Sequence, residues 1–235
     1  MDAAWRLRRG RDGSQPETTI VPEVHDLSST RLFVFDFDGT LVQSNAIKRA
    51  ALYEVVADVE GADAVLNELL QSKPQLNRYD IFRELAMRVD GVDAEYSAQS
   101  YSRICHDRIL AADEVPGAFA LLRALHAGGR VAVINSATPK RPLRELVEQL
   151  RFSHLITDTY GMPAGKLANL DKAMTRVDVR ADATVVIGDG EADRQSAEQA
   201  GCRFIGVVSD NNDFECAPEI VVDRLDRLIP ALTSP

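Results

Sequence analysis

Four aspartates follow short apolar segments of this chain at spacings that suit shared chemistry. Asp36 and Asp38 directly follow one apolar segment. Residues i and i+2 of an extended chain point the same way, so both carboxylates can face one site. Asp189 follows a second segment, and Asp193 comes four residues later, where the first turn of a helix would direct both acids to one site. Such acids suit cation binding, nucleophilic attack and proton transfer in phosphoryl chemistry.

A hydroxyl and an ammonium group complete the candidate set. Ser136 follows a third apolar segment, and Lys166 follows the segment 161–165, which contains two glycines. Both groups are suited to holding phosphate oxygens, where charge concentrates during transfer. Each candidate also has a structural interpretation: Asp-x-Asp is common in turns and helix caps, Ser136 suits an N-cap, and Lys166 suits a solvated surface. A shared site therefore requires a fold that brings these groups together.

Four short apolar segments predict buried β-strands that end in polar or glycine residues. They are 32–35, 130–134, 184–187 and 204–208. Continuous apolar runs are typical of parallel strands covered on both faces, and helical patterns over 117–127 and 142–150 alternate with them. This alternation predicts an α/β fold, with a Rossmann-like three-layer core and a parallel sheet. Ligands of such sheets bind at the carboxyl ends of the strands, where three of the four strands would deliver the candidate groups.

Residues 45–112 interrupt the alternation with helical patterns. These patterns cover 46–59, 62–70, 79–89 and 94–110, and the clearest loop is 73–78. We therefore predict a flexible tail over 1–29, an α/β core formed by 30–44 and 113–235, and an all-helical insert over 45–112. The tail is rich in arginine and lacks the apolar stretch of a signal peptide.

Composition and charge exclude several classes of protein. The 235 residues carry 27 Lys and Arg against 36 Asp and Glu, a formal net charge of −9, which argues against nucleic-acid or anionic-membrane binding as the main task. No segment approaches the roughly 18 apolar residues of a membrane-spanning helix. Cys105, Cys202 and Cys216 are widely spaced, which disfavours a disulfide framework or a zinc site. A reducing, cytoplasmic location is the simpler expectation.

Four segments together resemble the signatures of the haloacid dehalogenase superfamily of hydrolases. Residues 36–42 (DFDGTLV) are similar to the first signature, 133–139 (VINSATP) to the second and 187–193 (IGDGEAD) to the fourth, while Lys166 falls where the third supplies a lysine. The four occur in the family's order between residues 31 and 208. The resemblance implies a Rossmann-like core, and it implies that the helical insert is a C1-type cap.

The resemblance also implies roles for the four acids. Asp36 would be the nucleophile and a Mg²⁺ ligand, and Asp38 the general acid and base, which also ligates the metal through its backbone carbonyl. Asp189 would be a metal ligand. Asp193 would support the metal site directly or through water. The second acid, Asp38, argues against carbon–halogen hydrolysis, because dehalogenases of the superfamily generally lack it.

The remaining roles concern phosphate and specificity. Ser136 would bind phosphate, although Asn135 could occupy that position of the second signature, and Lys166 would bind phosphate and orient the nucleophile. In the cap, the segment 73–78 is where we expect specificity, with Arg78 and Tyr79, or nearby Arg83, meeting an anionic or polyhydroxylated substrate. The alternative for these cap residues is a surface loop with ordinary ion pairs.

The sequence thus predicts a Mg²⁺-dependent phosphatase that hydrolyses a small phosphorylated metabolite, a sugar phosphate or a phosphoglycolate-like acid, through an aspartyl-phosphate intermediate. A phosphomutase of the same superfamily and a catalytically idle domain that binds a phospho-ligand remain as alternatives. We expect a monomer or homodimer.

Overall fold

The chain divides into an α/β unit and a helical unit. The computed structural model describes residues 26–73, 76–209, 212 and 214–233. The helical unit spans Ser44–Ala112, and the α/β unit comprises the chain up to Gln43 together with Asp113–Pro235. Most of the predicted tail, 1–29, lies outside the described residues. None of the described helices is long and apolar enough to cross a membrane.

A six-stranded sheet forms the centre of the α/β unit. Its strands are β1 (Leu32–Phe35), β2 (Val131–Pro139), β3 (Asp158–Met162), β4 (Thr184–Gly188), β5 (Arg203–Val207) and β6 (Val221–Val222). The order is β3-β2-β1-β4-β5-β6, and all five pairings are parallel. The predicted α/β class with a parallel sheet is therefore confirmed. The four predicted strands correspond to β1, β2, β4 and β5, and β2 continues five residues past its predicted end at 134.

Sequence patterns missed the two strands at the sheet edges. In β3 the sequence is Asp-Thr-Tyr-Gly-Met, which has no apolar run, and β6 has only two residues. An edge strand pairs on one side only and is less completely covered than a central strand, so it does not need a continuous apolar sequence.

Helices cover both faces of the sheet. They are α5 (Ala118–Ala127), α6 (Lys140–Val147), α7 (Lys166–Val177) and α8 (Glu191–Ala200). Leu170 in α7 and Ala197 in α8 pack in one buried cluster with Leu32 and Val34 of β1. Right-handed crossovers place α5 and α6, which connect strands on the other side of β1, on the opposite face. The three layers direct the carboxyl ends of β1, β2 and β4 to one edge of the sheet.

Within its described residues, the helical unit contains four helices. They are α1 (Asn45–Val55), α2 (Ala62–Ser72), α3 (Arg78–Arg88) and α4 (Ala94–Leu110). Their core includes Leu66, Phe82 and Leu85, and the ring of Phe82 meets Tyr101 edge to face. Asn77 caps α3, because its side chain accepts hydrogen bonds from the first two backbone N–H groups after Arg78. The predicted loop 73–78 is therefore wrong at Arg78, because the Asn77 cap starts the helix at that residue.

Candidate active site

The loop after β1 places two aspartates at the carboxyl edge of the sheet. Asp36 follows the last strand residue directly, and its N–H donates to the carbonyl of Ile187 in β4 at 2.8 Å. Gly39 has a φ of 79°, in the left-handed region that glycine adopts at low cost. Its N–H donates to the carbonyl of Val42 at 2.8 Å. The chain therefore turns sharply just after Asp38 and keeps both acids near the end of the strand.

Three of the predicted acids meet in a buried cluster. Asp36 after β1, Asp189 after β4 and Asp193 in the first turn of α8 each place one carboxylate oxygen within 4.8 Å of the others. All three side chains are buried. Buried carboxylates are stable only when they are paired, protonated or bound to a cation. An arrangement of three oxygen donors suits a hard divalent cation.

Lys166 joins two of these acids. It is the first residue of α7, and its side chain is only 13% exposed. Nζ lies 2.8 Å from Oδ1 of Asp36 and 2.6 Å from Oδ1 of Asp193. Burial favours the neutral amine, but the charges of Asp193 and Asp36 outweigh it and raise the pKa of Lys166 above its ordinary value. The side chain is therefore an ammonium ion that bridges Asp36, the nucleophile candidate, and Asp193 in α8.

The cluster carries more negative than positive charge. Burial raises the pKa of the Asp193 carboxyl, the Lys166 ammonium opposes that rise, and the charge of Asp36 adds to it. One ammonium faces three acids, so protonation of an acid or the arrival of a cation relieves the remaining repulsion. A divalent cation fits this site on charge as well as on donor type.

The end of β2 contributes a second side of the site. Oγ1 of Thr138 donates to Oδ2 of Asp38 at 3.2 Å, and the Thr138 N–H donates to Oγ of Ser136 at 3.1 Å. Ser136 and Thr138 are both buried. The structure thus connects the predicted acid/base residue to the predicted phosphate residue through a threonine. Sequence reasoning included Thr138 only as part of a motif, because a threonine at a strand end is common.

Asn135 has a different position from Ser136. Its Nδ2 donates to the backbone carbonyl of Lys166 at 2.9 Å, and its Oδ1 accepts from Nδ2 of Asn169 at 3.2 Å. Both asparagines are buried. The Asn135 amide therefore holds β2 to the start of α7, which favours Ser136 as the phosphate-binding candidate. Asn169 was missed, since an asparagine within a helix carries no distinctive sequence signal.

Asp189 is contacted by side chains from two other loops. Oγ1 of Thr40 donates to Oδ1 of Asp189 at 3.3 Å, and Oγ of Ser209 donates to Oδ2 at 2.7 Å. Nδ2 of Asn212 donates to the Asp189 carbonyl at 2.8 Å. Sequence reasoning missed Ser209 and Asn212, because polar residues after a strand are ordinary loop formers.

Two of the predicted specificity residues, Arg78 and Arg83, have side-chain partners within the helical unit. Nη1 of Arg78 donates to Oγ of Ser102 at 3.0 Å, and its guanidinium lies 5.0 Å from the centre of the Tyr101 ring. Arg83 forms an ion pair with Asp80 in the same helix. The Tyr79 side chain is exposed. Contact of these residues with a substrate stays a prediction.

Comparisons with known proteins identify the family and the fold of the chain. A phosphoglycolate phosphatase from Pseudomonas fluorescens is 28% identical over 219 residues, which cover 87% of this chain and 80% of the relative. One from Cereibacter sphaeroides is 30% identical over 182 residues, covering 73% and 82%. The crystal structure of CbbY from Rhodobacter sphaeroides in complex with phosphate superposes with a TM-score of 0.69 at 17% identity, covering 87% of this chain and 100% of that one. The family model for haloacid dehalogenase-like hydrolases matches residues 30–201, and the chain belongs to that family.

Proposed function

We propose that the protein is a Mg²⁺-dependent phosphatase that hydrolyses the phosphomonoester of a small metabolite. The observation that carries the proposal is the buried cluster of Asp36, Asp189 and Asp193, with Lys166 bridging two of its members at the carboxyl edge of the sheet. The phosphoglycolate phosphatases among the relatives support a small phosphorylated acid as substrate. Phosphoglycolate-like acids and sugar phosphates are the first classes to test.

The donor set supports magnesium as the cation. The cluster offers carboxylate oxygens, which Mg²⁺ prefers, and Mg²⁺ usually completes its shell with substrate oxygens and water. We assign Asp36 and Asp189 as side-chain ligands and Asp38 as a ligand through its backbone carbonyl, with Asp193 supporting the site directly or through water. When bound, the cation offsets the repulsion between these carboxylates and the phosphate dianion.

Asp36 is the proposed nucleophile. Lys166 donates to its Oδ1 and fixes the carboxylate in one orientation, so we assign the attack on phosphorus to Oδ2. A bond forms between Oδ2 and phosphorus, and the bond between phosphorus and the leaving oxygen breaks, which gives an aspartyl phosphate. Water then attacks the aspartyl phosphate, restores the Asp36 carboxylate and releases inorganic phosphate.

Asp38 is the proposed source and acceptor of protons. Its protonated carboxyl gives a proton to the leaving oxygen in the first step, and its carboxylate takes a proton from the attacking water in the second. Thr138 holds Oδ2 of Asp38. We assign the equatorial phosphate oxygens to the Ser136 hydroxyl and the Lys166 ammonium.

The helical unit is the proposed cap and carries substrate specificity. We propose Arg78 and Tyr79 as its first substrate-contacting residues. An arginine can bind a carboxylate or phosphate through two hydrogen bonds, which suits an anionic substrate.

A panel of phosphate esters tests the proposed reaction. We expect at least one ester to be hydrolysed with Mg²⁺, no turnover in EDTA, and recovery when Mg²⁺ is restored. Asp36→Asn should remove turnover, whereas Asp182→Asn, at a side chain that is 72% exposed, should leave it unchanged. Turnover by Asp36→Asn, or turnover without the metal, would contradict the proposal. Conversion of an ester to its isomer without release of phosphate would favour the mutase instead.

Binding of a phosphoryl mimic gives an independent measurement. Beryllofluoride should raise the midpoint of thermal unfolding, Tm, when Mg²⁺ is present, because the pair binds only the folded site. Equal stabilisation with and without Mg²⁺ contradicts the site. Tight binding of a phospho-ligand combined with no turnover of any ester favours the idle domain.

A further inference from the structure

We propose that Ser209 is a positioning residue for Asp189, which it orients toward the divalent cation. Asp189 directly follows β4, and Ser209 lies just after the neighbouring strand, β5. Its hydroxyl donates to Oδ2 of Asp189 at 2.7 Å. The inference rests on the proposed function, because it assumes that Asp189 ligates a cation.

Two hydroxyl groups hold the Asp189 carboxylate from different elements. Thr40, in the loop after β1, donates to Oδ1 at 3.3 Å, while Ser209 donates to Oδ2 at 2.7 Å. Donors on both oxygens restrict rotation of the carboxylate plane. The Ser209 bond is the shorter of the two, and we therefore expect it to contribute more to the orientation.

The donors to Asp189 differ from the donor to the other two acids. Asp36 and Asp193 accept from the Lys166 ammonium, which carries a full positive charge. The hydroxyls of Thr40 and Ser209 are neutral, so they orient Asp189 and leave its charge available to a cation. Each carboxylate oxygen offers about two lone-pair positions, so a hydroxyl that donates to an oxygen does not by itself prevent that oxygen from ligating a cation. Asp189 is thus both oriented and able to ligate.

Ser209 is itself held in place by Asn212. The Ser209 N–H donates to Oδ1 of Asn212 at 2.7 Å. Nδ2 of Asn212 donates to the carbonyls of Asp189 at 2.8 Å and Val207 at 2.9 Å. The Asn212 amide therefore ties the backbone of the serine to the backbone of the aspartate that it contacts. This arrangement fixes the distance between the two side chains.

Titration of Mg²⁺ binding in the absence of substrate tests the inference. The readout is the Mg²⁺ midpoint, the free Mg²⁺ concentration that occupies half of the sites, fitted from the increase of Tm with Mg²⁺ concentration. Partners behind a metal ligand typically contribute about 10–100-fold to metal affinity, so Ser209→Ala should raise this concentration by about tenfold or more. Ser209→Thr keeps a hydroxyl and should therefore bind Mg²⁺ at the wild-type concentration. If the alanine variant does not fold, Ser209→Cys, a weaker donor of similar size, makes the same comparison.

Thr184→Val is the matched control. Thr184 is buried at the opposite end of β4, and its hydroxyl donates to the carbonyl of Arg180 at 2.9 Å. This change should lower Tm without altering the Mg²⁺ midpoint. A second readout is kcat measured as a function of Mg²⁺ concentration. Ser209→Ala should need more Mg²⁺ than the wild type, and at saturating Mg²⁺ it should regain most of the wild-type kcat.

The failures of the two proposals are distinguishable. If the wild-type protein shows no Mg²⁺-dependent rise in Tm and no Mg²⁺-dependent turnover, the proposed function fails. If the wild type binds Mg²⁺ and Ser209→Ala binds it equally well, only the role of Ser209 is overturned. If Ser209→Ala has a lower Tm but keeps the wild-type Mg²⁺ midpoint, the positioning role is also overturned, because that result indicates a purely structural serine.

Discussion

Lys166 in the α/β unit and Lys73 in the helical unit both pair with carboxylates, but in different surroundings. The Lys166 side chain is 13% exposed and bridges Asp36 and Asp193, which lie 130 and 27 positions away along the chain. The Lys73 side chain is 39% exposed and meets one oxygen of Glu84 at 3.1 Å. Exposed pairs contribute little to stability, whereas a buried group of charges is costly unless every member is satisfied. The buried group of charges around Lys166 therefore supports our proposal that the reaction takes place at the carboxyl edge of the sheet.

The largest expected difference in stability and turnover is between variants that remove the ammonium group of Lys166 or of Lys73. Lys166→Met leaves two buried carboxylates facing each other, so we expect a cost of about 3–5 kcal/mol in the free energy of unfolding and loss of measurable turnover. Added Mg²⁺ should recover part of the stability, because it supplies positive charge to the same acids. Lys73→Met should change Tm only slightly. Thermal unfolding with and without Mg²⁺ measures both, and equal effects would remove the distinction between the two lysines.

Two glycines extend the comparison. A Cβ at Gly188 would lie 2.5 Å from Cγ of Asp193, whereas a Cβ at Gly61 would have no atom within 4 Å. Gly188→Ala should therefore displace Asp193 and lower kcat/KM by about 10²-fold, the scale of a 1 Å misplacement in a catalytic site.

Gly61→Ala should act on stability alone. Gly61 has a φ of +79°, and a side chain in the left-handed region costs about 1–2 kcal/mol. Turnover should remain at the wild-type value. Full activity in Gly188→Ala, or a loss of kcat in Gly61→Ala, would contradict the assignment of the chemistry to the sheet edge.

Arg78 provides a smaller test on the helical side. Its contacts with Tyr101 and Ser102 predict that Arg78→Met lowers Tm. Its proposed contact with an anionic substrate predicts that KM rises several-fold while kcat stays unchanged. Arg108→Met removes an ordinary ion pair with Glu54 in the same unit and is the control. An unchanged KM in Arg78→Met would exclude it from substrate binding and leave it as a packing residue.

The contrast between the units also explains how far the sequence could be interpreted. Asp36 and Asp189 could be placed together in advance, because parallel strands deliver their following residues to one edge. The preceding strand β3 was missed, so Lys166 could be added only through the resemblance to the third signature. No comparable rule predicts which side chains of the helical unit lie close together. Its four helices could be predicted from apolar periodicity, but Arg78 was assigned to a loop, since the capping role of Asn77 depends on local backbone geometry.

Several side-chain contacts that support the site could not be predicted from the sequence. Thr138, Asn169 and Ser209 each belong to residue types that are frequent in turns, helices and caps for local reasons. Their partners lie 100, 34 and 20 positions away, respectively. Only the folded chain determines that such a side chain meets a carboxylate or another amide.

The smallest expected effect concerns the cysteines, one in the helical unit and two in the α/β unit. Burial, together with the charge of Asp171, raises the pKa of Cys202 to about 11, so at pH 8 only about one thousandth of this thiol is the reactive thiolate. Cys216 is exposed and Cys105 is buried. Iodoacetamide should therefore label Cys216 first, and Cys216→Ser should remove the fast phase detected by mass spectrometry.

Labelling of Cys105 then reports on the helical unit itself. A buried thiol reacts only when the structure around it opens, so its rate measures the local free energy of opening. We expect Cys105 to react much more slowly than Cys216 in the native protein. Labelling of Cys105 at the rate of Cys216 would show that the helical unit opens far more readily than its packed core implies.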